Sequence, residues 1–302
     1  MIVKLQPALR SYLWGGTNLC TKWHKQSTEE KISEAWELSF QQKAPSIVAE
    51  GADKELIGKP VNEVIPRADW GKNCEKFHDF PVLNKLIDAA LPLSIQVHPS
   101  DEYALAHEGQ YGKTEMWYIL EAEEGAYLYM GLNRTVTAQQ FAEAIETNTI
   151  CDYLNKVYVH AGETYFIPSG TIHAIGAGIT VYEIQQNSDL TYRVYDYDRT
   201  DKNGNKRELH IEKAKAVTNF QKFTVENPNR GELLGKCNYF AVYRYQGTHP
   251  VGNDDSFNAI TVINGSVQLG NLTLEKGETA FLSAGEHAVA TGEGEYIVTT
   301  IE

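Results

Sequence analysis

The chain has 302 residues, 42% hydrophobic and 22% charged, which is an ordinary globular composition with room for one long domain or two modest ones. Its formal net charge of −13 speaks against nucleic acid and against an anionic membrane surface as partners. A phosphorylated small molecule stays open, because charge is screened beyond roughly 8–10 Å and a few local cations can govern a cleft.

In chain order, the Met1–Pro7 segment lacks the basic and then long apolar stretch of a secretory leader, and no apolar run nears the roughly 20 residues that span a bilayer. Four widely spaced cysteines, Cys20, Cys74, Cys151 and Cys237, form no Cys-x-x-Cys pair and are expected to be inert thiols. A cytoplasmic address follows. Phe80–Ala90 is expected to form a helix. Short strands are expected at Leu93–His98, Glu115–Leu120, Ala126–Met130, Thr164–Ile167, Thr180–Gln185, Tyr239–Tyr245 and Asn258–Ile263, separated by Gly, Asn and Pro clusters.

Thr137 and Gln140 have the spacing of a capping box, with Val136 placed to staple onto Phe141. Phe141, Ala144 and Ile145 then give one apolar helical face, so Arg134–Lys156 reads as a helical insertion between strands. His210–Val217 is a further helix candidate. The stretch Gly162–His173 is echoed by Gly277–His287: each reads as turn, strand, second turn and histidine. Two copies of one barrel unit are expected, with the boundary in the loop-like run Asn227-Pro228-Asn229-Arg230-Gly231.

Alternation along an extended strand places Ser94, Gln96 and His98 on one face and Leu93, Ile95 and Val97 on the other. A buried polar row needs partners such as water, substrate or metal. Lys113, Glu115 and Trp117 share a face by the same rule, and the Pro168–Gly170 turn can aim His173 at the same point. Two imidazoles and a carboxylate suit zinc with one position open, and suit the non-haem iron of oxygenases equally well. Gln96 is placed as a fourth ligand or as its support.

These residues resemble the two motifs of the cupin fold, the second matched position for position by Gly162–His173. Gln96-Val97-His98-Pro99 followed by Lys113-Thr114-Glu115-Met116 resembles the class I mannose-6-phosphate isomerases. Tyr12–Gly16, Glu34–Glu37 and the Tyr192–Asp196 block holding Arg193 resemble further segments of that family, and the length resembles its short bacterial branch. The resemblance implies a mainly β protein, a double-stranded β-helix (cupin) barrel in two units with a small helical insertion. Residues 1–226 would form the catalytic unit and 227–302 a degenerate one, where Ser283 stands for Pro168 and His287 falls one residue early.

It further implies one zinc ion per chain on His98, Glu115 and His173, with Gln96, and a catalytic role for Arg193. The implied reaction interconverts mannose 6-phosphate and fructose 6-phosphate by moving a proton between C2 and C1. Arg193 lies on a strand-like stretch where Thr191, Arg193 and Tyr195 share a face, and its planar fork suits enediolate or phosphate oxygens. Lys113 is a second catalytic candidate. Lys85, Ser94, Tyr12, Trp14 and Glu183 are candidates for substrate contact. The proton-transferring base is open among Glu183, Lys113, unligated His98 and water. An iron(II) dioxygenase and a non-catalytic sugar-phosphate binder are the competing readings.

Overall fold

The computed structural model describes residues 1–302 except positions 52, 201, 202 and 227, so Asn227 of the expected boundary lies outside the described residues. Four antiparallel sheets make two barrels placed back to back. The first barrel closes a six-stranded sheet over a five-stranded one. The six-stranded sheet runs, in spatial order, Thr164–Ile167, Glu115–Ala122, Ile179–Gln186, Val82–Ala89, Glu34–Leu38 and Ala8–Arg10. The five-stranded sheet runs Tyr192–Tyr195, Ile95–Val97, His173–Ile175, Tyr127–Leu132 and Leu154–Tyr158. Ile87, Trp117, Val181, Leu128, Met130 and Ile175 fill the space between them.

The second barrel pairs a seven-stranded sheet with a four-stranded one around a buried apolar cluster that includes Ile260, Val262, Leu269, Leu274 and Val298. Strand Ile2–Gln6 enters the seven-stranded sheet, pairing with Thr279–Leu282 on one side and Ile47–Glu50 on the other. That sheet therefore takes strands from both sides of position 227. A third apolar layer, with Phe80, Tyr182, Phe257 and Phe281, packs the six-stranded sheet against the seven-stranded one.

This layering explains the one element whose type differs from the sequence reading. Phe80–Ala90 is not a helix: Val82–Ala89 is a strand, buried at every position. In Val82-Leu83-Asn84-Lys85-Leu86-Ile87-Asp88-Ala89 the apolar pairs recur four residues apart, a helix-like spacing, and burial on both faces leaves no polar–apolar alternation to mark the strand.

The helix Ala138–Glu146 has the expected capping box, with Gln140 N–H donating to Thr137 Oγ1 at 3.1 Å and Thr137 N–H donating to Gln140 Oε1 at 2.9 Å. It lies between adjacent strands Tyr127–Leu132 and Leu154–Tyr158, and Val136, Phe141, Ala144 and Ile145 bury against Ile95 and Val97. Helix Ile211–Val217 adds Ala214 to the same cluster. The repeat is visible in the backbone as well. Gly162 and Gly277 have φ of 87° and 88°, Gly170 and Gly285 have 82° and 81°, and both turns flank a four-residue strand.

Candidate active site

The strand Ile95–Val97 turns Ile95 and Val97 outward under the helices, which leaves Gln96 facing inward. Leu93 precedes the strand proper and joins the inner cluster instead of the outer one. Gln96 is in register with His173 on the neighbouring strand. The turn that presents His173 docks on the first histidine's backbone, since Gly170 N–H donates to the His98 carbonyl at 2.8 Å. Glu115 begins the strand that pairs with Thr164–Ile167, so three elements meet at one point.

There the donor atoms of His98, Glu115 and His173 lie within 4.8 Å of one another, all buried. His173 Nε2 is 3.1 Å from Glu115 Oε1, and His98 Nε2 is 3.6 Å from Glu115 Oε2. Each Nδ1 contacts a backbone carbonyl, that of Leu190 at 2.7 Å for His98 and that of Thr171 at 2.8 Å for His173. A carbonyl only accepts, so each Nδ1 carries a hydrogen and each ring turns its Nε2 toward the carboxylate. Glu115 Oε1 is buried without a hydrogen-bond donor. Burial, then the charge of Lys113, keeps the His98 pKa well below its ordinary value. Burial works to raise the Glu115 carboxyl, but Lys113 and the two histidines hold it well below the usual range. Two imidazole Nε2 atoms and an ionised carboxylate converging on one buried point fit a divalent cation. The Gln96 amide, 3.5 Å from His173 Nε2, borders the same point.

Above this floor opens a cleft of about 800 Å³. Lys113 Nζ bonds to Glu115 Oε2 and stands 3.4 Å from His98 Nε2 and 3.6 Å from Glu183 Oε1. Glu183 Oε1 also faces Lys85 Nζ at 3.2 Å, while its Oε2 accepts the Trp117 indole N–H at 2.8 Å. Lys85 lies 3.6 Å from Glu34 Oε2, and burial, which works to lower its pKa, is outweighed by Glu34 and Glu183. A chain of alternating charges thus runs from the donor set to the far wall: Glu115, Lys113, Glu183, Lys85, Glu34.

Ser94, Tyr12 and Trp14 line the cleft as expected, the two rings stacked 5.6 Å apart. Arg193 lines it with Thr191. Its Nη1 donates to the Glu208 carbonyl at 2.9 Å, its Nε is buried without an acceptor, and among the described residues no carboxylate lies within ion-pair distance. Tyr195 does not share this face. The pairing with Ile95–Val97 shifts register between Arg193 and Tyr195, and Tyr195 packs toward the helices.

The sequence reading missed the opposite wall. Arg10, Glu34, Trp36 and Lys43 face the cleft, with Arg10 in register with Glu34 and stacked 5.1 Å over the Trp36 ring. Trp36 Nε1 donates to Glu34 Oε2 at 2.7 Å. The alternation in Glu34-Ala35-Trp36 signals this face, but only once the strand is known to border a cavity. Arg207 and Asp189 complete the lining, which holds six cations (Arg10, Lys43, Lys85, Lys113, Arg193, Arg207) against four carboxylates (Glu29, Glu34, Glu183, Asp189). In a chain of net charge −13 the cleft is locally cationic.

Fold and site together define a double-barrelled cupin, with a buried His–Glu–His donor set beneath a cationic cleft. The family model described as phosphomannose isomerase type I, catalytic domain, matches residues 2–128. A mannose-6-phosphate isomerase of Streptococcus mutans is 35% identical over 92% of this chain and 91% of its own length. A probable mannose-6-phosphate isomerase of Bacillus subtilis is 38% identical over 80% of this chain and 78% of its own. The crystal structure of the mannose 6-phosphate isomerase of Bacillus subtilis superposes with a TM-score of 0.88, at 33% identity over 99% of both chains. The chain belongs to the mannose-6-phosphate isomerase family, and it is an isomerase.

Proposed function

We propose that this cleft interconverts mannose 6-phosphate and fructose 6-phosphate by moving a proton between C2 and C1. The observation that carries the reading is Arg193, a cation with no carboxylate partner among the described residues, facing a cationic cleft above a buried His–Glu–His set. Proton removal beside a carbonyl builds negative charge on oxygen, and fixed cations stabilise that charge without reorganising. Bound to His98, Glu115 and His173, with Gln96 beside them, one zinc ion per chain supplies Lewis-acid stabilisation of the substrate's oxygens.

Arg193 contributes a rigid, permanently charged fork to the enediolate or phosphate oxygens. Lys113 adds a second cation, held in place by Glu115 and Glu183. Glu183 borders the cleft with Oε1 set between Lys85 and Lys113, which makes it our choice to hold the migrating proton. Lys85 and Ser94 meet the substrate's polar groups, and the stacked Tyr12 and Trp14 give the sugar an apolar wall. The apolar cluster inside the second barrel, with no metal-donor group there among the described residues, supports a structural role for the 227–302 unit. Four free cysteines suit a cytoplasmic, reducing setting, and no helix among the described residues is long and apolar enough to cross a membrane.

A coupled assay for fructose 6-phosphate, run before and after chelation and again with zinc restored, tests this. Turnover that disappears with chelator and returns with zinc is the expected result. Turnover that survives complete metal removal, or oxygen uptake in place of isomerisation, would overturn it.

A further inference from the structure

Among the described residues the Gly277–His287 repeat carries no metal-donor set, yet its opening turn is fastened to the segment that leads into the first barrel's cleft wall. Gly277 has φ of 88°, and a Cβ there would lie 2.6 Å from the Trp23 carbonyl oxygen. Its own carbonyl accepts a hydrogen bond from Lys25 Nζ. Lys276 Nζ stands 4.2 Å from the centroid of the Trp23 ring. Thr279 Oγ1 donates to Glu37 Oε2 at 3.2 Å, and Glu37 Oε1 lies 2.5 Å from Lys25 Nζ. Three residues of one turn and strand therefore grip Trp23, Lys25 and Glu37.

Lys25 is 8% exposed and Glu37 is fully buried. A buried ion pair is a poor device for stability, since well-packed apolar residues serve as well or better, so a geometric role is the more economical account. Glu37 lies on the same strand as Glu34 and Trp36, which face the cleft. Directly after Lys25 the chain becomes exposed, and Ser27, Thr28 and Glu29 form part of the cleft wall. This wall is hung at two ends. One end is Lys25, and the other is the pair of bonds from Ile32 N–H to the Gly16 carbonyl at 3.0 Å and from Ser11 Oγ to the Lys31 carbonyl at 3.0 Å. Between them the bonds are local, such as Glu29 N–H to Ser27 Oγ at 2.9 Å.

We propose that Lys25 is a positioning residue, through which the Gly277 turn of the second barrel fixes the cleft wall at 27–29 and sets how tightly substrate is held. This rests on the reading of the cleft as the sugar-phosphate site, and it gives the degenerate repeat a task in the reaction.

The test uses the full chain carrying Lys25→Met, which keeps an unbranched stem and removes the charge. Two quantities are read: cleavage after Glu29 and Glu30 by a glutamate-specific protease under native conditions, and the steady-state constants for mannose 6-phosphate. Cleavage is expected to rise at least fivefold, and KM about five- to tenfold, with kcat within twofold of the parent. Lys276→Ala, which removes the ammonium over Trp23 together with its 4.0 Å approach to Glu121, is expected to move both in the same direction by a smaller factor, and it decides the matter if Lys25→Met does not fold. Unchanged cleavage, faster cleavage with unchanged KM, or a loss confined to kcat would each overturn the proposal. Parent enzyme without turnover would overturn the functional reading instead, and the cleavage comparison would still judge the clamp.

Discussion

The indole N–H of Trp117 donates to Glu183 Oε2 at 2.8 Å while the same ring meets His173 edge-on, with centroids 5.4 Å apart. One side chain thus sets both the orientation of a cleft carboxylate and the seat of a donor-set histidine. With Oε2 satisfied, Glu183 Oε1 faces Lys85 at 3.2 Å and Lys113 at 3.6 Å. Trp117→Phe keeps an aromatic ring near His173 and removes only the donor. A hydrogen bond to a charged group is worth about 1.5–3 kcal/mol, so kcat is expected to fall by roughly 10- to 100-fold. Metal content should stay at the parent level. An unchanged kcat would show that Glu183 needs no such fixing.

Removing Arg193 should separate chemistry from metal binding. Arg193→Ala is expected to lower kcat/KM by about 100-fold or more, the scale of losing one fixed group that stabilises developing charge. Elemental analysis should find the parent's metal content, because Arg193 touches none of His98, Glu115 or His173. Arg193→Lys should restore only part of the loss, since an ammonium cannot reproduce the planar fork.

The donor set makes the opposite prediction. His98→Ala or His173→Ala removes one of three converging lone pairs, and each is expected to lose metal and activity together. The parent should also melt at a higher Tm with zinc than after chelation, because a ligand that binds only the folded state stabilises it. Equal Tm values with and without zinc, at zinc well above its Kd, would argue against this set as the binding site.

Asp196 offers a pH test away from the donor set. It is buried and bonds to both Arg199 and Arg207. Burial works to raise its pKa, but the two guanidinium groups more than offset that and hold it below the ordinary value. A carboxyl depressed in the folded state adds stability above its unfolded pKa of about 3.9, and loses it as pH falls through the folded value. The denaturation midpoint of the parent should therefore exceed that of Asp196→Asn by its full margin at pH 6, with the margin shrinking below about pH 4. A margin that stays constant down to pH 2.5 would assign the pair no electrostatic role.

What the sequence showed and hid follows from how local each signal is. The Thr137–Gln140 box is legible because both partners sit within one helical turn. Gly162–His173 is legible because its turn glycines and histidine are fixed by backbone geometry within a dozen residues. Val82–Ala89 was misread because its burial on both faces comes from sheets far away in sequence. Tyr195 was misplaced by a single register shift, which no alternation rule foresees. Arg10, Lys43 and the Trp23–Lys25 segment reach the cleft or its anchor through strand order and the second barrel, and nothing in their immediate neighbours announces it.

The pairing of Ile2 with Leu282 carries a consequence for how the molecule is made. During synthesis the strand Ile2–Gln6 emerges long before Thr279–Leu282, the strand beside it. Until then one hydrogen-bonding edge of Ile2–Gln6 has no partner. Contacts this distant in sequence are slow to form, and an uncovered strand edge is a template for mispairing with other chains. Assembly is thus gated by a late pairing far downstream in sequence, and nascent chains that lack Thr279–Leu282 should depend on chaperones far more than the folded protein does.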